Sequence, residues 1–207
     1  MLTLAIDCAT ETCSAALLEG NHLVAGECRK LGRGHAEHLV PMIAALPNQG
    51  RADRITVSLG PGSFTGVRIG LAAARALALA WEVEAFGYPT LALIAAMAHE
   101  KCGAHPVTVA MNGGHGEWFV QRFEETGMPE TPVSSLSPDD AVSFASTSLI
   151  AGNRAEELVA LRGSGEALAL WPDARCFALL PASALQSANA PIYGRGPDAT
   201  PATKVRN

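Results

Sequence analysis

Arg54-Ile55-Thr56-Val57-Ser58-Leu59 runs into Gly60-Pro61-Gly62-Ser63-Phe64-Thr65-Gly66 and then into an alanine- and leucine-rich stretch from Val67 to Trp81. The first segment is β-branched and apolar and reads as a short strand. The last repeats its apolar residues at helical spacing, carries six alanines, and reads as a helix over 67–81 with Gly70 near its start. A strand, a glycine-rich turn and a helix in succession are a building unit of an α/β sheet.

The turn itself carries two open readings. Gly60, Gly62 and Gly66 allow backbone conformations that other residues avoid. Ser63 and Thr65 supply hydroxyls that cap a helix or meet an anion, and the following helix aims its free amides back at them. No lysine follows Gly66, however, and the string is neither a Walker-type loop nor a dinucleotide fingerprint. The alternative is a rigid packing turn. In that case one of its glycines has positive φ or lies hard against a neighbouring backbone, Phe64 packs inward, and Gly62→Val costs about 1–3 kcal/mol through backbone strain.

Upstream, residues 2–7 read as a strand ending in Asp7, and residues 13–19 and 22–29 as a hairpin joined by Glu19-Gly20-Asn21. A helix follows from His35 to Leu46, with Leu39, Met42, Ile43 and Leu46 on one stripe and Pro41 inside it. Downstream come a brief strand at 83–86 and a helix from Thr90 to His99 behind Pro89. This order makes residues 1–100 a first α/β lobe. Near residue 101 the composition shifts toward Ser, Pro, Asp and Gly. Strands at 106–111 and 117–124, a weak strand at Leu149-Ile150, a helix at 153–162 and a helix at 174–185 broken by Pro181 make residues 101–207 a second, smaller lobe. Its polar tail after Ala190 reads as partly disordered, and no repeat of solenoid period is visible.

The 207 residues suffice to bury a core without disulfides or metals. Only 17% are charged, below the roughly 25% of a typical domain. Such a low charge fraction suggests surface covered by another protein. The net charge of -5 gives no nucleic-acid footprint. Five cysteines without a Cys-x-x-Cys pair read as free thiols in a reducing compartment. The N-terminus lacks a basic leader, and the apolar stretch at 69–80 contains Arg75 and is too short for a bilayer. The expectation is a cytoplasmic chain with no membrane contact.

Asp7 and Thr10 stand at the tip of the first strand, where a carboxylate either holds a phosphate-bound or metal-bound water or caps its own turn. Glu11 and Thr12 extend this polar turn. His35 and His38 lie one helical turn apart but have no third ligand nearby, so no metal is expected. Arg68 and Arg75 share a face of an alanine-rich helix, which points to internal ion pairs or to a partner. With Leu71 and Ala72 beside them, and Leu39, Ile43 and Leu46 on the preceding helix, they make a candidate partner-binding face.

Gly60-Pro61-Gly62-Ser63-Phe64-Thr65-Gly66-Val67-Arg68-Ile69-Gly70 closely resembles the hallmark of the TsaB (YeaZ) family of tRNA threonylcarbamoyladenosine biosynthesis. Leu4-Ala5-Ile6-Asp7-Cys8-Ala9-Thr10-Glu11 resembles that family's opening, and His35 to Ile43 its next motif. Pro191-Ile192-Tyr193-Gly194-Arg195 resembles its closing motif. Met111-Asn112-Gly113-Gly114-His115-Gly116-Glu117 departs from the family pattern, with Asn112 in place of a carboxylate and Gly114 in place of an arginine.

The resemblance implies a two-lobed actin/Hsp70/sugar-kinase-like fold. It implies a non-catalytic partner of TsaD, the subunit that transfers a threonylcarbamoyl group to N6 of adenosine 37 in tRNAs reading codons that begin with A. TsaE joins the pair, tRNA is met only within the complex, and the isolated chain is able to pair with itself. No cofactor is expected; Asp7, Thr10, Ser63 and Thr65 mark at most an ancestral nucleotide site. An enzyme with its own nucleotide hydrolysis or peptidase activity, or a homo-oligomeric structural protein, are the competing readings.

Overall fold

A computed structural model describes residues 1–188 and 190–194. The chain begins with β1 (Leu2–Asp7), β2 (Thr12–Glu19) and β3 (His22–Lys30), an antiparallel meander whose β2–β3 turn is the expected Glu19-Gly20-Asn21 connection. Then come α1 (His35–Ala44), β4 (Arg54–Ser58), α2 (Phe64–Trp81), β5 (Glu84–Tyr88) and α3 (Thr90–Cys102). β4 and β5 run parallel to β1, so α1 and α2 act as crossovers on the sheet's outer face.

The second half repeats the plan. β6 (Val107–Gly114), β7 (Glu117–Phe123) and β8 (Ser134–Leu136) form a meander, followed by α4 (Pro138–Phe144), β9 (Leu149–Ala151), α5 (Ala155–Arg162) and β10 (Glu166–Leu168). β9 and β10 run parallel to β6. The strand orders, β5-β4-β1-β2-β3 and β10-β9-β6-β7-β8, are therefore the same arrangement twice. α4 starts on a Ser137 cap that accepts from the Asp140 amide, with Pro138 in the first turn.

Three apolar layers hold this together. Leu4, Ile6, Leu17, Ile55 and Val57 face α1 and α2 on one side of the first sheet. Ala5, Ala16 and Leu18 on its other side meet α3, Phe177 and the inner residues of β6, β7 and β9. Ala110, Val120 and Ile150 face α4 and α5. This is α/β with two mixed sheets flanked by helices, as the sequence implied.

The division at residue 100 does not follow the sheets. After β10 the chain returns to the first lobe through a 3-10 segment at Ala174–Leu179, and β11 (Gln186–Ser187) adds an antiparallel edge to β5. Ile192 then donates its amide to Leu59 O at 2.7 Å. Leu170, Ala174 and Phe177 join the central core, the Phe177 ring standing 5.7 Å from that of Tyr88. The helix expected at 174–185 is two separate 3-10 turns, since Pro181 cannot continue a helix. α2 begins at Phe64 and has 18 residues, so by length and composition it suffices for a bilayer. Its Val67, Leu71, Ala74 and Ala78 are buried against the first sheet.

Candidate functional site

The loop before α2 is shaped by close backbone packing. Ser63 donates its amide to Ala9 O at 2.6 Å. A Cβ on Gly62 would lie 2.0 Å from Ala9 O, and one on Gly66 would lie 2.0 Å from Cys8 O. Gly60 has φ near +91°, and its carbonyl accepts from the Thr90 amide. Thus one glycine supplies a left-handed conformation and two supply contact with the β1–β2 turn. Ser63 Oγ accepts from the Gly66 amide at 3.3 Å and caps α2. Replacing Ser63 with Ala is expected to lower stability by about 1 kcal/mol in urea unfolding, the ordinary worth of such a cap.

Phe64 does not turn inward. It is 58% exposed, the Arg68 guanidinium lies 3.5 Å over its ring, and the ring of Tyr193 stands 6.3 Å away. Arg68 Nη2 also donates to Tyr193 Oη at 3.1 Å. At the first turn of α2, positions 64 and 68 fall on the solvent side while the buried stripe is taken by Val67 and Leu71. The spacing of four between Phe64 and Arg68 was a visible sign of this stack; Tyr193, far along the chain, was not. Arg195, the last residue of the closing motif, lies outside the described residues.

This stack forms one wall of a cleft of about 1070 Å³ between the two sheets. Thr10, Glu11 and Ser63 line it from the first lobe, and Asn112, His115, Phe119 and Asn153 from the second. Thr65 is exposed but is not part of the lining. Asp7 does not reach the cleft either. It is fully buried, with Oδ1 accepting from the Ala9 amide at 2.9 Å and Oδ2 lying 3.2 Å from Tyr88 Oη. Of the two readings of Asp7, turn capping is the one the geometry matches, because the carboxylate points back under its own turn. Burial outweighs the Ala9, Ser58 and Tyr88 hydrogen bonds and raises its pKa to about 6.

Glu11 takes the position in the cleft that Asp7 lacks, although the sequence marks it only as an extension of the polar turn. Its Oε1 accepts from Trp171 Nε1 at 2.6 Å and its Oε2 from Asn153 Nδ2 at 3.2 Å, with Lys30 Nζ 3.7 Å away. Burial opposes its ionisation, but Trp171, its own backbone, Lys30 and Asn153 together hold the carboxyl below its ordinary pKa. Asn153 Oδ1 in turn accepts from the Asn112 amide at 2.8 Å, so one side chain ties the two lobes together. The Asn112 side chain accepts from the Gly114 amide, a turn-forming role that requires no charge at that position. Glu11→Gln is expected to cost about 1–2 kcal/mol by weakening charge-assisted bonds. A shift of the urea midpoint together with altered Trp171 fluorescence checks this, and unchanged stability counts against the cross-lobe tie.

Most of the candidate partner face is interior. Leu39, Ile43, Leu46 and Leu71 are all buried in the layer between α1, α2 and the first sheet. Their helical stripe is the one any sheet-covering helix needs, so periodicity alone does not separate it from an interface. Arg68, Ala72 and Arg75 are exposed, but the two arginines are engaged within the chain: Arg68 with Phe64 and Tyr193, Arg75 through Nε and Nη2 with Ala188 O. The outward side of the two helices includes Ala36, Val40 and Ala44 on α1 and Ala72, Ala76 and Leu79 on α2, beside the exposed Glu37, His38, Arg68 and Arg75. His35 does not face outward with His38. It is buried, and Nε2 donates to Thr10 O at 2.8 Å, which fixes the turn that floors the cleft. Among the described residues no group of three or more His, Cys, Asp or Glu is placed to hold a metal.

Residues 29–152 match the family described as TsaD: tRNA N6-adenosine threonylcarbamoyltransferase. The tRNA threonylcarbamoyladenosine biosynthesis protein TsaB of Escherichia coli K12 is 37% identical over 135 residues, 62% of this chain and 58% of that protein. Its Haemophilus influenzae counterpart is 31% identical over 164 residues, 67% of this chain and 69% of that protein. The match therefore spans less than two thirds of the E. coli relative. The solved structure of YeaZ from Pseudomonas aeruginosa superposes with a TM-score of 0.77 at 27% identity, covering 93% of this chain and 99% of that one. That coverage takes in both sheets, so the two-lobed α/β arrangement is shared with that structure. Sequence identity carried over two thirds of a TsaB, a matched family region across the cleft and a shared fold lead to one conclusion: this chain belongs to the TsaB (YeaZ) family.

Proposed function

We propose that this chain is the non-catalytic cytoplasmic partner of TsaD in the N6-threonylcarbamoylation of adenosine 37 in tRNAs reading codons that begin with A. TsaE joins through the pair, and tRNA is met only within the assembly. The observation that carries this reading is the outward face of α1 and α2, where Leu79 is 83% and Val40 59% exposed among small alanines. Alanines on adjacent helices let a partner's backbone come close, and two large apolar side chains supply anchors. The sealing of Asp7 beneath its own turn supports a structural role for the cleft's first-lobe wall.

Ala72→Arg and Leu79→Arg both replace solvent-facing residues, so far-UV circular dichroism is expected to stay unchanged. Binding to TsaD, measured by titration calorimetry and by co-elution, is expected to weaken by at least about 30-fold, the size of one interface anchor. Normal binding by both folded variants removes this face from the interface. If the same substitutions dissociate a dimer of the isolated chain without affecting TsaD binding, the face serves self-association instead. The purified chain is expected to hydrolyse no ATP above buffer; turnover that persists through purification overturns the non-catalytic assignment.

A further inference from the structure

The β1–β2 turn holds a pair of thiols that the function above does not use. Asp7 pairs with Ser14 across the two strands, so Cys8 and Cys13 face each other one step closer to the turn. Both point into the layer beneath α2, at 1% and 0% exposure, and their sulfurs are 3.6 Å apart. The pair is held from two sides. The β1–β2 ladder fixes the strands, and α2 lies over Cys8 so closely that a Cβ on Gly70 would come within 3.5 Å of its Cβ. Facing residues of an antiparallel pair have Cα atoms about 4.5–5.5 Å apart. A disulfide accepts about 4.4–6.8 Å, so it forms here without moving the strands.

We propose that Cys8 and Cys13 are an oxidation site, closing to an intrachain disulfide when the chain meets hydrogen peroxide. The hydrogen bond from Cys8 holds the Cys13 thiol below its ordinary range against the effect of burial, and Arg29 adds to this while Asp7 and Glu27 oppose it. The same bond raises the Cys8 thiol. With Cys13 attacking and Cys8 resolving, or with the roles exchanged, the same disulfide forms.

In the first order, the Cys13 thiolate bonds to one peroxide oxygen, the O–O bond breaks, and the departing hydroxide takes up the proton Cys13 released, leaving water and a sulfenic acid. The Cys8 sulfur then attacks the Cys13 sulfur, the S–O bond breaks, and the departing hydroxide takes the Cys8 proton as a second water. Two thiols lose two electrons in all, and one peroxide is reduced to two waters. Peroxide is close to water in size, so local opening of the turn admits it. The bond ties together the two ends of the turn that carries Thr10 and Glu11 into the cleft.

The test treats the full chain with hydrogen peroxide, then unfolds and alkylates it. The expected product is lighter by about 2 Da before alkylation and has two thiols protected. Proteolytic cleavage after Glu11 then leaves the fragments containing Cys8 and Cys13 joined until dithiothreitol is added. Cys8→Ala is expected to lose the cross-link. Since the wild-type mapping decides the matter by itself, poor folding of that variant does not protect the proposal. Oxidation of the half-buried Cys28, Cys102 or Cys176 while Cys8 and Cys13 stay alkylatable overturns it, as does a disulfide joining any other pair or no disulfide at all.

Discussion

Gly66→Ala is expected to unfold most of the stability of this chain, with a loss of at least about 3 kcal/mol in urea or thermal denaturation. The added Cβ would lie 2.0 Å from Cys8 O, and Gly62→Ala would place one 2.0 Å from Ala9 O. Both clashes are with backbone oxygen at the end of β1, so no rotamer change relieves them. Either α2 lifts from the first sheet or the β1–β2 turn deforms, and both movements open the layer containing Leu39, Ile43 and Leu71. Of the two alternatives the sequence leaves for the loop glycines, Gly62 and Gly66 take close approach to backbone, not the strain expected for Gly62→Val. Gly62 and Gly66 are not among the residues with positive φ, so backbone strain is not their cost; proximity is.

Gly20→Ala is the matched control. Gly20 has φ near +58° and nothing within 4 Å of its would-be Cβ, so that substitution is expected to cost only about 1 kcal/mol of left-handed strain. Equal losses at Gly20 and Gly66 would contradict the close-packing account.

Asp7→Asn is expected to stabilise the chain at pH 7, by up to about 3 kcal/mol, a pKa difference of roughly two units at about 1.4 kcal/mol each. The carboxyl is fully buried and its pKa is raised from 3.8 to about 6. Between these values the folded chain binds more protons than the unfolded one. The stability Asp7 contributes is therefore complete below about pH 4 and is lost as pH rises through about 6. The Ala9, Ser58 and Tyr88 hydrogen bonds oppose this sign, and burial outweighs them. Tyr88 Oη has one proton to share between Ile6 O at 3.0 Å and Asp7 Oδ2 at 3.2 Å, so its hydrogen bond offsets only part of the cost of burying the carboxylate.

An asparagine removes the buried charge; its oxygen keeps the Ala9 amide and its amide donates to Tyr88 Oη, whose proton then stays on Ile6 O. Stability measured between pH 5 and 7 should fall with pH in the wild type and stay flat in Asp7→Asn. That window lies above the range where Glu11, whose pKa is lowered, loses its own contribution on acidification. Asp7→Ala should instead destabilise by leaving the Ala9 amide unpaired. A wild-type slope that persists in Asp7→Asn would mean that another group titrates.

Much of the first lobe was legible because its signals are local. Short apolar and β-branched runs marked β1 and β4, Glu19-Gly20-Asn21 marked the β2–β3 hairpin, and Pro89 opened α3. The second lobe was harder, because its strands β8, β9 and β10 are three residues each and too short to show a period. α4 was missed although Ser137-Pro138-Asp139-Asp140 carries a cap, a first-turn proline and two acids. The candidate site divided in the same way. Thr10 and Ser63 were placed in the cleft by their loops, whereas Glu11, Trp171 and Asn153 meet across gaps of 142 and 160 residues that no local pattern spans.

The sequence by itself determined the class of fold, the strand–glycine loop–helix at its centre and the family, because these depend on backbone propensity and on a contiguous motif. Only the tertiary structure decided which way side chains face. It turned Leu39, Ile43, Leu46 and Leu71 into core, brought Phe64 and Arg68 out to Tyr193, and sealed Asp7 under Tyr88. It also showed the second sheet to be the first one's strand order repeated. A helix stripe is apolar whether it covers a sheet or a partner, and a carboxylate at a strand tip caps or binds with the same residues. The choice rests on what packs above it, and here that is chain drawn from residues far away in sequence.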